Sequence, residues 1–431
     1  MRVCLLISMF LFVSCALNES RSIKKVAVTN INVDLDKEVE SKLLAEVDKF
    51  RREKKLPSIA ISIVQNGKMV WAQGFGKKII SKNVDSDIMK CDRNYKVNPK
   101  DIKNINDSDS GSDSSSGSDK ENDVDANTIY RIGSVSKPIA ALAVMKLVEE
   151  KKILLDKPIS YYIGKYFNNG KDIPENLKKV TVFQVLTHTS GIRHYDYKKG
   201  EKENNKPIIN PQEAMSMHGV IREKLLFSPG TKYRYSTYAY NLLQYLVESV
   251  SNKSYMDFLK ENIFNPAGIE RTNLDHPETG IKIEARPYRR NKDLKIYCET
   301  PMVDVRWKLS AGGIASTVVD LAKLSMALDS GKIFSTDTLK LIYTSAHLAD
   351  GSLTQYGIGW HIFPIENGDF WVGHGGAATG GTAYLLRNPN KKISFAILTN
   401  LQIKAADLGK FANRLAQIFD PQIPSFKIGN L

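Results

Sequence analysis

The stretch "RIGSVSKPIAALAVMKLVEEKKI", Arg131–Ile153, sets Ser134 and Lys137 three residues apart at the first turn of an amphipathic helix. Such a pair is either a nucleophile with its base or a capping serine beside a solvated lysine. Spacing alone does not choose. Average residue usage gives a chain of 431 residues roughly two S-x-x-K matches by chance, and Ser22-Ile23-Lys24-Lys25 is one with nothing around it to give it meaning. The residues that accompany the pair must decide.

Upstream, Val39, Leu43, Val47 and Phe50 fall on one face of a helix. Two β-rich runs follow, Ser58–Val64 and Lys68–Phe75, joined at Asn66-Gly67, whose tolerance of positive φ signals a hairpin. Periodicity is then lost from about Val84 to Asp125, where the low-complexity "NDSDSGSDSSSGSDKEND" cannot bury enough apolar surface to offset chain entropy. Downstream, Pro138 to Phe264 reads mainly as helices. Another helix follows at "STVVDLAKLSMALDSG", where Thr317 and Asp320 have capping-box spacing. Strands return at "DFWVGHGG" and "GTAYLLRNPNKKISFAILTN" before a last helix from about Ala405 to Phe419. Strands at both ends with helices between imply an α/β fold of the α+β sandwich kind: an antiparallel sheet flanked by helices, with an inserted all-helical subdomain. The expected divisions are a leader at 1–16, the first helix and strands at 34–83, a disordered acidic insertion at 84–125, and the rest of the domain at 126–420, with the helical subdomain at about 155–300.

The composition, 42% hydrophobic and 25% charged, excludes fibrous and wholly disordered classes. The start, "MRVCLLISMFLFVSCALNES", has one positive charge, an apolar run to about Val13 and then small residues, which reads as a secretory signal peptide. The run is shorter than the roughly 20 residues needed to span a bilayer, so no stable span is expected after cleavage. Secretion is the expectation; a lipoprotein anchored through Cys15 and a mitochondrial protein are the alternatives. With Cys4 and Cys15 in the leader, Cys91 and Cys298 remain, as one disulfide or two lone thiols. Glycosylation sequons stand at Asn18, Asn106 and Asn252. The formal charge of +14 is uneven, because Asp101–Asp125 holds eight acids against two lysines. A basic remainder could attract anions, but the lysines are dispersed and no nucleic-acid motif is present, so no nucleic-acid partner is expected.

Motifs in a fixed order surround the Ser134 pair: "YRIGSVSK", "LTHTSGI", "FSPGTKYRYSTYAYNLL", "SAGGIASTVVDLAKL", "YGIGW" and "GHGGAATGG". From about Pro57 to Phe419, the acidic insertion apart, the chain resembles the serine β-lactamase-like hydrolases, the family of class C β-lactamases, penicillin-binding proteins and D-alanyl-D-alanine carboxypeptidases, and most of all their LACTB-type branch. The resemblance implies a β-lactamase/transpeptidase-like fold. It makes Ser134 the nucleophile, Lys137 its base and Tyr235 a proton-transfer group. Such a base is chemically needed because a serine hydroxyl is a poor nucleophile until a neighbour takes its proton, and burial near a helix N-terminus lowers an ammonium pKa. Tyr235-Ser236-Thr237 stands where most of the family has Tyr-x-Asn. Thr237 departs from that pattern, since a hydroxyl does not present donor and acceptor as an amide does. His374-Gly375-Gly376 stands where relatives carry Lys-Thr-Gly or His-x-Gly on a sheet edge, and the resemblance assigns the Ala377 N–H to the oxyanion beside that of Ser134.

The remaining histidines, His188, His194, His218, His276, His347 and His361, have no metal-ligand spacing, so neither metal nor cofactor is expected. The expected activity is hydrolysis of a small peptide, amide or ester through an acyl-enzyme on Ser134. Two alternatives are a binding or filament-forming module, hence a homo-oligomer or filament, and a true β-lactamase or D-alanyl-D-alanine carboxypeptidase.

Overall fold

Asn66 and Gly67 both take positive φ, 52° and 72°, the backbone that lets a two-residue loop follow the twist of its strands. They join β2 (Ser58–Gln65) to β3 (Lys68–Gly76). The computed structural model describes residues 31–32, 35–80, 88–89, 120–196 and 217–423, apart from 277, 279, 292–295, 301–302 and 366–367. The leader with Cys4, Cys15 and Asn18, the sequon at Asn106, and Cys91 lie outside the described residues.

Around the hairpin, β1 (Ile31–Asn32), β4 (His361–Pro364), β5 (Phe370–Ala378), β6 (Gly381–Asn388) and β7 (Ile393–Thr399) complete a seven-stranded antiparallel sheet in the order β1-β3-β2-β7-β6-β5-β4. Strand β2 is buried along nearly its whole length, the mark of a strand covered on both faces. Ile59, Ile61 and Ile63 meet the terminal helices α1 (Lys37–Lys54) and α6 (Ala405–Phe419), whose Leu43, Val47, Phe50, Leu408 and Phe411 belong to the same buried layer. Phe50 and Phe411 stack with ring centroids 4.1 Å apart. On the opposite face, small residues Ala60 and Ala396 join the larger core. There Ser62 donates a 2.7 Å bond to the Val318 carbonyl, at the start of α5 (Val318–Asp329).

The second core gathers around α2 (Ser136–Glu149), which is buried on nearly every side, as befits a helix enclosed by others. It packs with α3 (Thr237–Ser251) and the single turn α4 (Leu309–Gly312). The antiparallel sheet flanked by helices matches the α+β architecture expected. The helical stretch stops at Ala267, short of residue 300. The next elements are short strands, of which Asn273–Leu274 pairs with Ile314–Ser316. Residues 120–126, assigned in part to the acidic insertion, are part of the fold: Asp123 bridges Lys77, and Val124 and Ala126 are buried. Two apolar side chains there outweigh the acidic composition of the surrounding window. Cys298 is buried and disulfide-bonded. Asn252 is exposed, in left-handed conformation just past the end of α3.

Candidate active site

Strand Tyr130–Arg131 pairs antiparallel with Ile314–Ser316, and this pairing assembles the site. It sets the turn that follows Arg131 beside the turn that precedes Ile314, so Ser134 and Ala311 become neighbours. A buried ion pair fixes the frame: Arg131 Nε lies 2.8 Å from Asp275 Oδ2, and Arg131 Nη1 donates to the Thr379 carbonyl. Ser134 is not in the helix itself. It occupies a 3₁₀ turn, Gly133–Val135, that leads into α2. The turn needs Gly133, whose φ is +49° and whose missing Cβ would stand 2.8 Å from the Ala377 carbonyl. No side chain caps α2, which removes the capping role for Ser134. Ser136 instead bonds the turn together, donating to the Gly133 carbonyl at 2.7 Å and accepting from the Ile314 N–H at 3.2 Å.

Lys137 is fully buried. Its Nζ donates to the Ala311 carbonyl at 2.7 Å and lies 3.0 Å from Ser134 Oγ and 3.3 Å from Thr237 Oγ1, hydroxyls that can donate to it or accept from it. Burial, and then the nearby Lys308 cation, push its pKa well below the ordinary lysine value. Both causes disfavour the ammonium, so the site favours a neutral amine. Ser134 remains partly exposed. The Ser134 hydroxyl is therefore open to the cleft while the amine behind it is buried.

Tyr235 lies face-on to this amine, with Lys137 Nζ 4.8 Å from its ring centroid. Behind the tyrosine stands His188, ring centroids 4.3 Å apart, whose Nδ1 accepts from the Ser236 N–H. Thr237 opens α3, and its N–H donates to His194 Nδ1 at 3.2 Å. The Ser136-Lys137 end of α2, the Tyr235-Thr237 end of α3 and α4 thus converge on one point.

Strand β5 supplies the fourth wall. Strand β4 pairs with it only as far as His361↔Gly373, so from His374 onward the edge beside Ser134 is open. Gly376 must lack a side chain, because a Cβ there would stand 1.9 Å from the Ile132 carbonyl oxygen. His374 lines the cleft, and both of its ring nitrogens have partners within the protein. Its Nδ1 lies 2.7 Å from the Gly375 carbonyl and its Nε2 3.1 Å from the Tyr356 hydroxyl. A carbonyl only accepts, so Nδ1 carries the proton and Nε2 accepts from Tyr356. Both nitrogens are thus engaged, and His374 is only 2% exposed. Burial pulls the pKa of His374 well down, and pulls those of His194 and His361 to about 3, so all three stay neutral.

These walls enclose a cleft of about 880 Å³, lined by Ser134, Tyr235, Thr237, Lys308, Gly375 and Ala377 among others. Gly376 is buried behind it, and Ala377 is exposed to it. Sequence reasoning assigned no role to Ala311, Lys308 or Tyr356, although the first two lie in or beside "SAGGIAST" and Tyr356 opens "YGIGW". Among the described residues, no group of three or more His, Cys, Asp or Glu is placed to hold a metal ion, and no helix is long and apolar enough to cross a membrane.

The β-lactamase family model matches residues 43–417. Human mitochondrial serine β-lactamase-like protein LACTB is 28% identical over 261 residues, covering 47% of each chain. Protein flp of Staphylococcus aureus is 21% identical over 383 residues, 86% of this chain and 64% of its own. The chain spans about half the length of the first curated relatives it matches. Among solved structures, the octameric penicillin-binding protein homologue from Pyrococcus abyssi aligns with a TM-score of 0.67 at 26% identity, covering 88% of this chain and 77% of that one. A class C β-lactamase shares the fold, with a TM-score of 0.65 at 17% identity and coverage of 90% and 98%. A match that runs from within the first helix to within the last makes this chain a member of the β-lactamase family.

Proposed function

We propose that the protein is a serine hydrolase that cleaves a peptide, amide or ester bond through an acyl-enzyme on Ser134. The observation that carries this reading is the dry amine of Lys137, 3.0 Å from the hydroxyl of Ser134, with no carboxylate among the groups acting on it. An uncharged amine accepts the hydroxyl proton as Oγ attacks the scissile carbonyl. The carbonyl oxygen takes the negative charge and is held by the Ser134 and Ala377 N–H groups, donors worth on the order of 3 kcal/mol each in such a site. When the tetrahedral intermediate collapses, the proton passes to the departing amine or alcohol, with Tyr235 assigned to its transfer. Water then attacks the ester on Ser134, losing its proton to the same base, and the acid leaves. Gly375, on the cleft lining, leaves room for substrate backbone along the β5 edge, with His374 beside it as support.

Thr237 favours this reading over a dedicated β-lactamase, because its hydroxyl is engaged by Lys137 and it lacks the amide that most of the family offers there. A second reading, an assembly module, draws on the octameric state named for the Pyrococcus abyssi homologue. The secretory route read from the leader belongs to the same proposal. The test is turnover of a panel of fluorogenic esters and peptide amides, with nitrocefin alongside and Ser134→Ala as the blank. Intact mass spectrometry after acid quench should find the acyl adduct in the wild type. Equal turnover by Ser134→Ala would defeat the proposal, and rapid nitrocefin turnover would favour the β-lactamase.

A further inference from the structure

His188 closes the short helix Val182–Leu186 in a place that glycine usually fills. The helix ends through two bonds: the His188 N–H donates to the Val185 carbonyl at 3.4 Å and the Thr189 N–H to the Gln184 carbonyl at 2.9 Å. An ending of this kind puts the residue after the cap in left-handed backbone, normally as Gly or Asn. His188 takes it with φ at +58°, a conformation that is unfavourable for a side chain of this size.

The ring carries a second cost. Its Nδ1 accepts from the Ser236 N–H at 3.1 Å, so the proton of the neutral imidazole sits on Nε2. That Nε2 is buried without a hydrogen-bond partner among the described residues, and the rings of Tyr235, Tyr240 and Tyr356 stand around it with centroids 4.3, 4.7 and 4.9 Å from its own. Burial first, and then the nearby Lys137 and the neighbouring histidines, hold the His188 pKa well below the ordinary histidine value. The ring therefore stays neutral and Nδ1 stays an acceptor. An apolar ring would fill the same space without stranding a donor, and glycine would end the helix without strain. What histidine supplies that neither does is the acceptor.

That acceptor holds the backbone around Tyr235. The His188 carbonyl accepts from the Arg234 N–H at 2.9 Å and the His188 ring accepts from the Ser236 N–H, so the chain is gripped on both sides of Tyr235. The same loop extends the grip into α3: the Arg193 carbonyl accepts from the Ser236 hydroxyl at 2.8 Å, and His194 Nδ1 from the Thr237 N–H. We propose that His188 is a positioning residue for Tyr235, its carbonyl and ring together fixing the backbone that holds the phenol ring against the Lys137 amine. This deepens the hydrolase reading and rests on it.

The test is a double-mutant cycle with Tyr235→Phe, read as kcat and KM on a fluorogenic peptide amide or ester that the wild type turns over and Ser134→Ala does not. His188→Gly keeps the left-handed backbone and removes the acceptor. It should lower kcat by about tenfold to a hundredfold, the scale of a misplacement near 1 Å, with KM changed by less than about threefold. In the Tyr235→Phe background the same substitution should cost less than about threefold, because a residue that acts through another has nothing left to lose once that partner is gone. His188→Asn tolerates the same backbone and offers Oδ1 where Nδ1 stood, so it should recover most of the loss; circular dichroism establishes that each variant is folded. An equal loss in both backgrounds, or Asn no better than Gly, overturns the inference and leaves the hydrolase reading standing. A Tyr235→Phe enzyme as fast as the wild type removes the phenol and this inference together, and wild type without Ser134-dependent turnover defeats the hydrolase reading and the inference with it. Nitrogen NMR of the ¹⁵N-histidine-labelled wild type tests the bond without any variant. The histidine with nuclear Overhauser contacts to the Tyr235 and Tyr240 rings should stay neutral and protonated on Nε2 from about pH 8 to about pH 5, and a proton on its Nδ1 overturns the inference.

Discussion

Gly376→Ala tests the join between the turn that holds Ser134 and β5. The new Cβ would stand 1.9 Å from the Ile132 carbonyl oxygen, 3.0 Å from its carbon and 3.1 Å from the Val135 nitrogen. All three are backbone atoms, so no flexible side chain can yield. Real Cβ contacts essentially never fall under 3.0 Å, which requires the strand and the turn to part by at least 1.1 Å, the difference between 3.0 and 1.9 Å. In the proposed mechanism the Ser134 and Ala377 N–H groups face each other across that contact, and donors act on an oxyanion only within about 2.7–3.1 Å. A displacement of about 1 Å costs on the order of a hundredfold in rate, and the overpacking costs about 1–3 kcal/mol of stability. The assay is the second-order rate of fluorophosphonate labelling, with thermal melting followed by circular dichroism to establish that the variant is folded. A folded Gly376→Ala protein that labels at the wild-type rate would refute the reasoning.

The pH profile is the second test. Burial and then Lys308 lower the Lys137 pKa, so the amine is free to accept a proton below the usual lysine range of about 10.4. Activity should rise with pH through that depressed value and be lost as pH falls through it; an acid limb at the ordinary lysine value would contradict it. Because Lys308 is the second cause, Lys308→Met should move the limb to higher pH, and a move to lower pH would count against the pairing. Tyr235→Phe should slow acylation by about 10²–10⁴-fold, and an unaltered rate removes the phenol from proton transfer. Asp275→Ala takes the carboxylate from the buried pair with Arg131, in which both side chains are about 2–3% exposed. The expected loss is about 3–5 kcal/mol in denaturant unfolding, and an unchanged midpoint would deny the pair its structural role.

Local rules carried much of the fold. The Asn66-Gly67 turn, the Leu43-Val47-Phe50 stripe and the Ala405–Phe419 helix depend on neighbours in sequence, and all three stand where the pattern puts them. Thr317 likewise accepts from the Asp320 N–H. The site was legible as a set of side chains and not as a geometry. Ser134 falls in a 3₁₀ turn because Gly133 must fit against Ala377, a tertiary demand with no local trace. Lys137 has its shortest bond to a carbonyl 174 residues away, and a backbone acceptor leaves no mark on residue type. The bonding of His374 is hidden for a similar reason: Tyr356, 18 residues upstream, meets its second nitrogen. Lys308 passed unnoticed among many lysines until the fold buried it in the cleft that holds Ser134.

The measurement that bears most directly on the chemistry is peptide mapping by mass spectrometry of protein treated with a fluorophosphonate. The wild type should carry one adduct, on Ser134, and Ser134→Ala and Lys137→Met, both folded by circular dichroism, should carry little or none. An adduct on another residue, or equal labelling of Ser134 when Lys137 is methionine, would contradict the assignment of a lysine-activated serine.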